Sequence, residues 1–231
     1  MEKNYLIKDV SELVDYLKLF KKDAFEDFDY QLQTNYCFVF NVYNGKIVVI
    51  PNNFSGLGLL IDNQETLELF IKNDKFPIEN PEQDLYDLEI SRIKNIPNEI
   101  NACQLHLNFI LNFKFTELNK EVVSIYLKKI IGRTIKKLTT DQDIVALIIV
   151  IGEVLRREIN GKWAIEKWYG TYNPKFKPRI INMNSELIFI DDLVWSNIKW
   201  KVSDIEIILS EREGIALEKR NKFHPCQLLE T

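Results

Sequence analysis

The chain has 231 residues, of which 46% are apolar and 28% charged, enough for one large or two small globular domains. Eight glycines and seven prolines exclude long disordered linkers, and three scattered cysteines, Cys37, Cys103 and Cys226, exclude a disulfide framework and fit a reducing compartment. The net charge of −4 hides a division: residues 1–115 carry −7, residues 116–180 carry +6 and residues 181–231 carry −3.

The opening residues lack a basic segment followed by an apolar one, so no signal peptide is read there. Asp9 and Glu12 form an Asp-x-x-Glu box ahead of Val10, Leu13, Val14, Leu17 and Phe20, which fall at helical spacing. The apolar runs 37–43 and 46–50 flank Asn44-Gly45, which predicts a β-hairpin closed by a two-residue type I′ turn. Residues 53–58 read as a turn-rich loop, and Asp62 with Glu65 as caps of a short helix bearing Leu67, Phe70 and Ile71. Pro77, Pro81 and Pro97 crowd residues 74–98, the best place for a boundary between a region 1–92 and a region 98–231, or else a long loop within one continuous domain.

From Asn98 the pattern is helical, with Ile100, Cys103, Leu107 and Ile110 on one face. A second helix spans 117–131, with Gly132 as its stop. Thr140 caps a third, with Asp143 in its first turn. Its run Ile144–Ile151 is apolar all round, which predicts a central buried helix. At eight residues it falls far short of the roughly 20 of a membrane span, so a cytoplasmic protein is expected. Asn160-Gly161 ends the helix; strands follow at 162–169, 178–183 and 186–191, then a helix at 204–213 and a loop from Lys222. The expected class is α+β, with an N-terminal helix–β-hairpin–helix region and C-terminal helices on a small, mainly antiparallel sheet.

Chemistry-bearing residues are sparse. Gly152 inside a helix costs about 1 kcal/mol relative to alanine and calls for a packing reason. Glu153 stands four residues before Arg157, the favourable order for an ion pair, and is otherwise a lone acid that defines no reaction. Trp163, Trp168, Trp195 and Trp200 cluster in the C-terminal region as core or as binding anchors; Trp163 and Trp168, an odd number apart, face opposite ways on a strand. Cys103, His106, His224 and Cys226 are zinc-type ligands at no common zinc spacing, and Cys103 is equally at home as a buried apolar residue; the enzyme alternative is a hydrolase or metal-binding enzyme using Cys103, His106 or Glu153, which no local signature supports. The Gly-x-Ser-x-Gly, His-Glu-x-x-His and Walker patterns are absent. No metal or cofactor is therefore expected, and no catalytic residue is assigned. Lys128, Lys129, Arg133, Lys136, Lys137, Arg156 and Arg157 form a basic block, a nucleic-acid reading weakened by poor aromatic interleaving and overall acidity. The acidic segment with Glu82, Asp84, Tyr86, Asp87 and Glu89 suits a basic protein partner, or is a solvated loop.

Residues 145–193 run as apolar helix, Gly-Glu-Val-Leu, Arg-Arg, Asn-Gly-x-Trp, strand, then Pro178-Arg-Ile-Ile and Leu187–Leu193. Through Gly152, Glu153, Gly161 and Trp163 this block resembles one in uncharacterised bacterial domains and in immunity proteins that neutralise toxins passed between competing bacteria. The resemblance implies a non-catalytic, cytoplasmic, immunity-type inhibitor that masks a cognate toxin. It carries no site residue over; the expected partner contacts are those of the acidic segment, Glu82 to Glu89.

Overall fold

A computed structural model describes residues 3–20, 29–32, 35–80, 83–131, 138, 140–168, 170–199, 205–210, 214–221 and 224–229. The class is α+β, with two five-stranded sheets among the described residues. Contacts divide the chain into two units, Met1–Gln83 with Tyr169–Lys175, and Asp84–Trp168 with Phe176–Thr231. The division thus falls inside the proline-crowded residues 74–98, ahead of the expected end of the first region at 92. Residues 85–93 are two short helices of the second unit, while a segment 86 residues beyond the division belongs to the first.

In the first unit, β1 (Tyr5–Asp9) leads directly into α1 (Val10–Phe20), followed by β2 (Tyr30–Leu32), β3 (Cys37–Asn41), β4 (Ile47–Pro51), β5 (Leu57–Ile61) and α2 (Gln64–Asn73). The sheet order is β1-β5-β4-β3-β2, antiparallel throughout. Every residue of β4 is buried because both faces of the sheet are covered. Ile47 and Val49 join Leu59, Ile61, Leu67 and Phe76 on one face; Val48 and Ile50 join Val10, Leu13, Leu17 and Leu60 on the other. That two-sided burial explains the unbroken apolar run of β4. A Cβ on Gly58 would sit 2.5 Å from Leu13 Cδ1 and 2.8 Å from the Val49 carbonyl, so glycine there lets α1 lie close on the sheet.

Three local expectations change. The hairpin loop is Tyr43–Asn44–Gly45, with Gly45 N–H donating to Val42 O and Val42 N–H to Lys46 O, and only Gly45 at positive φ. This is the three-residue turn with a glycine bulge rather than type I′, which needs two left-handed residues. The cap of α2 is Asn63, whose side chain accepts from Thr66 N–H, in place of Asp62. Residues 57–61, partly read as loop, form a strand because Leu59, Leu60 and Ile61 find core on both faces.

Tyr172 and Asn173 plug this unit from a distant part of the sequence. The Tyr172 ring is buried beside Phe76, and its hydroxyl donates to Leu57 O. Asn35 and Tyr172 exchange hydrogen bonds, Nδ2 to O at 2.8 Å and N to O at 3.0 Å. Asn173 accepts from Phe76 N–H, donates to Ile78 O and pairs reciprocally with Asn80.

The second unit contains α3 (Leu85–Leu88), α4 (Ile90–Ile93), α5 (Ile96–Leu111), α6 (Lys120–Lys129), α7 (Asp141–Glu158), β6 (Lys162–Trp168), β7 (Lys175–Ile181), β8 (Glu186–Ile188), α8 (Ile190–Lys199), α9 (Ile205–Ser210), β9 (Gly214–Ala216), α10 (Leu217–Asn221) and β10 (Cys226–Leu228). Its sheet order is β10-β6-β7-β8-β9. The α7 helix is the hub, with Val145–Ile151 wholly buried in the largest core. Thr140 and Asp143 close a reciprocal capping box at its start. At its end Asn160 takes the left-handed conformation, φ 49°, and Gly161 N–H donates to Arg156 O. Glycine at 161 serves packing: a Cβ would meet Ile180 Cγ2 at 2.7 Å.

The strand expected at 186–191 stops at Ile188, and α8 follows, since Ile190 and Val194 fall on one helical face toward the core. The tail beyond Lys222 contains β10, antiparallel to β6. Gly132, Arg133, Lys136, Lys137 and Trp200 lie outside the described residues.

Candidate functional site

The acidic segment is occupied by local structure. Asp84 caps α3, its Oδ1 accepting from Tyr86 and Asp87 N–H, while Asp87 Oδ2 accepts from Asp84 N–H. Tyr86, placed among the partner contacts by the sequence pattern, is 5% exposed and sits in the α7 core. Burial first, then the neighbouring Asp191, drives its phenol far above the ordinary range. Glu89 holds Arg92 at 2.8 Å. Glu82 is outside the described residues. Asp-x-x-Asp before an apolar residue serves a helix cap as readily as an acidic surface, so the sequence pattern is compatible with both.

The cysteines and histidines are dispersed into separate tasks. Cys103 is buried on α5, and burial pushes its thiol up to about 12. His106 Nε2 lies 2.6 Å from Asp143 Oδ1, joining α5 to the start of α7. His224 stacks on Trp168 with centroids 4.4 Å apart, and Cys226 pairs across the sheet with Glu166. Among the described residues no group of three or more His, Cys, Asp or Glu is placed to hold a metal.

Two ionic centres organise the second unit. The first is Glu153, 2% exposed on α7. Its Oε2 accepts from Arg156 Nε and Trp163 Nε1, and its Oε1 from Arg156 Nη2 and Arg157 Nε, at 2.7–3.0 Å. Burial alone would raise this carboxyl, but the donors of Arg156, Trp163 and Arg157 together hold it below its usual value. Arg156 Nη1 also donates to Gly161 O, and Arg157 Nη1 to Leu118 O. The site borders a cleft of about 300 Å³ whose lining includes Ile100, Asn101, Arg156, Arg157 and Trp163. Gly152 makes it possible: a Cβ there would stand 2.3 Å from Trp163 Cη2.

The second centre is sealed. Arg179, Glu166 and Asp191 are all nearly inaccessible. Glu166 Oε2 accepts from Arg179 Nε and Trp168 Nε1, both at 2.7 Å, and Arg179 Nη1 donates to Asp191 Oδ1 and Pro178 O. Burial raises the Asp191 carboxyl, opposed by Arg179. The Arg179 guanidinium also lies 4.5 Å from the Phe189 ring centroid. This cluster ties β6, β7 and α8 together beyond the reach of a substrate.

The exposed apolar groups lie elsewhere. In the first unit, Leu19 is 76% and Tyr43 78% exposed, and Phe20 is also exposed. The Tyr16 and Phe20 rings lie 4.5 Å apart at a tilt of 35°, and Asn44 Nδ2 donates to the Tyr16 hydroxyl at 2.5 Å, which ties α1 to the hairpin loop. Asp15 and Glu12 of α1 are paired with Lys18 and Lys8. This unit carries 9 basic residues against 14 acidic ones. The second unit exposes Phe109, at 84%, and Leu105 on α5. The sequence signal for the first patch was the one apolar residue of α1 off the buried stripe, Leu19, and an aromatic inside a hairpin loop.

No family model, no curated protein and no solved structure matches the chain. Among the described residues, no helix is long and apolar enough to cross a membrane.

Proposed function

We propose that the chain is a non-catalytic, cytoplasmic protein-binding protein of the immunity type, which neutralises a cognate toxin by masking its basic active-site face. The reading is carried by the acidic unit's exposed group of Leu19, Phe20 and Tyr43, a patch of large side chains left in water. Aromatic anchors within an acidic field suit a basic partner: charge raises the encounter rate, and desolvated rings supply the binding energy. The patch takes over the contact role first given to Tyr86, which is buried.

The test is a pull-down with the products of neighbouring genes, followed by gel filtration. A stable 1:1 complex is expected. Combined L19A, F20A and Y43A substitutions are expected to weaken it at least 100-fold while leaving the unfolding midpoint near that of the parent chain. Unchanged affinity in the triple variant rules out this surface; a complete absence of binding among neighbouring products rules out the immunity reading.

A further inference from the structure

We propose that the cleft beside Glu153 is a binding site for a small amphiphilic monocarboxylate, with Arg157 and Asn101 taking the carboxylate and Ile100 and Trp163 lining the path of its apolar body. The first argument is charge. Arg156 and Arg157 bring two cations to a single buried carboxylate, so the cluster keeps one net positive charge at the cleft wall. The second is unused donors. Arg156 spends Nε and Nη2 on Glu153 and Nη1 on Gly161 O, whereas Arg157 spends only Nε and Nη1 and is half exposed. Its Nη2 has no hydrogen-bond acceptor among the described residues, and neither has the exposed Asn101 carboxamide on α5. With Nε held by Glu153 and Nη1 by Leu118 O, the Arg157 guanidinium is fixed in place and keeps Nη2 to offer to a second carboxylate.

The third argument is the shape and mixed character of the cleft. Its volume of about 300 Å³ is at the lower end of small-molecule sites and suits a compact ring or short chain. One residual positive charge matches one carboxylate; a doubly charged phosphate would leave excess negative charge next to Glu153. Glu153 remains ionised in this arrangement because its three donors hold its carboxyl low, so the ligand adds to the cluster without displacing it.

The experiment uses the full chain labelled with 15N, benzoate as the probe and benzamide as its neutral isostere. The Trp163 indole N–H, which donates to Glu153, is the reporter, assigned by its loss in W163F. Benzoate is expected to shift this signal saturably, and benzamide to bind at least tenfold more weakly. R157A is expected to weaken benzoate at least tenfold. Because Arg157 also supports Glu153, a second variant, N101D, adds a negative charge to the cleft from an exposed position and leaves Glu153's partners in place; it too is expected to weaken benzoate tenfold. Equal binding of benzoate and benzamide, a shift that never saturates, or unchanged affinity in N101D overturns the proposal. Tighter binding of inorganic phosphate than of benzoate overturns the monocarboxylate assignment.

Discussion

Replacing Gly152 by alanine tests the central packing of the second unit, because two effects of opposite sign meet there. In a helix interior that nothing crosses, glycine to alanine stabilises by about 1 kcal/mol. Here the new methyl would stand 2.3 Å from Trp163 Cη2, 3.0 Å from Cζ2 and 3.1 Å from Ile190 Cγ1. Carbon atoms rest at about 3.5–4.0 Å, so ring and helix must part by more than 1 Å. The ring cannot swing away without breaking its hydrogen bond to Glu153, and Trp163 is 1% exposed with core around it. Overpacking of this kind costs about 1–3 kcal/mol and exceeds the gain in helix propensity. The expected outcome is a net loss of up to about 2 kcal/mol. All four tryptophans belong to the second unit, so urea unfolding followed by tryptophan fluorescence reports on it. In a W163F background the outer ring atoms are gone, and G152A is expected to become neutral or stabilising, a coupling of about 1–3 kcal/mol. If G152A stabilises the parent chain, or costs the same in both backgrounds, the close contact is not what glycine is there to permit.

Three further outcomes are expected. E153Q leaves Arg156, Arg157 and the Trp163 N–H facing an uncharged amide in a buried place, and a loss of about 3–5 kcal/mol is expected in the same urea assay. The Glu153 carboxyl is held below its unfolded value, so its stabilisation is fully present above the ordinary glutamate range and fades as pH falls through the lower folded value; parent and E153Q midpoints should converge on acidification. N173A removes the acceptor of Phe76 N–H and the donor to Ile78 O, for an expected loss of about 2 kcal/mol, read as faster amide hydrogen exchange in β3–β5. Burial pushes the Cys37 and Cys103 thiols up to about 12. Iodoacetamide at pH 8 should therefore modify the partly exposed Cys226 first, with Cys37 and Cys103 reacting only on unfolding, as followed by mass spectrometry.

Local signals in the chain were enough for some elements and not for others. The all-apolar run of α7, the Thr140 cap and the Asn160-Gly161 stop are each written within a few residues, and periodicity and capping are short-range properties. The need for a packing partner at Gly152 was likewise visible as a helix-breaking residue in a strong helix. Its partner, Trp163, and the hydrogen bond that Trp163 donates to Glu153 required α7 and β6 to be brought together, whereas the bonds from Arg156 and Arg157 are made within α7 itself. The edge strands β1 and β10 were missed for a related reason: edge strands are half exposed and lack a strong alternation, so only their partners reveal them.

By itself the sequence determined the α+β class, the central buried helix and its two ends, since these follow from the spacing of apolar residues and from residues with special backbone preferences. Tertiary structure alone decided which polar residues face solvent. The same carboxylate–arginine chemistry gives a sealed lock at Arg179 and an open cleft at Arg157, and the same aromatic character gives a buried Tyr86 and an exposed Tyr43. Burial is a property of what packs over a residue, and the elements that do so here come from positions far apart in the chain.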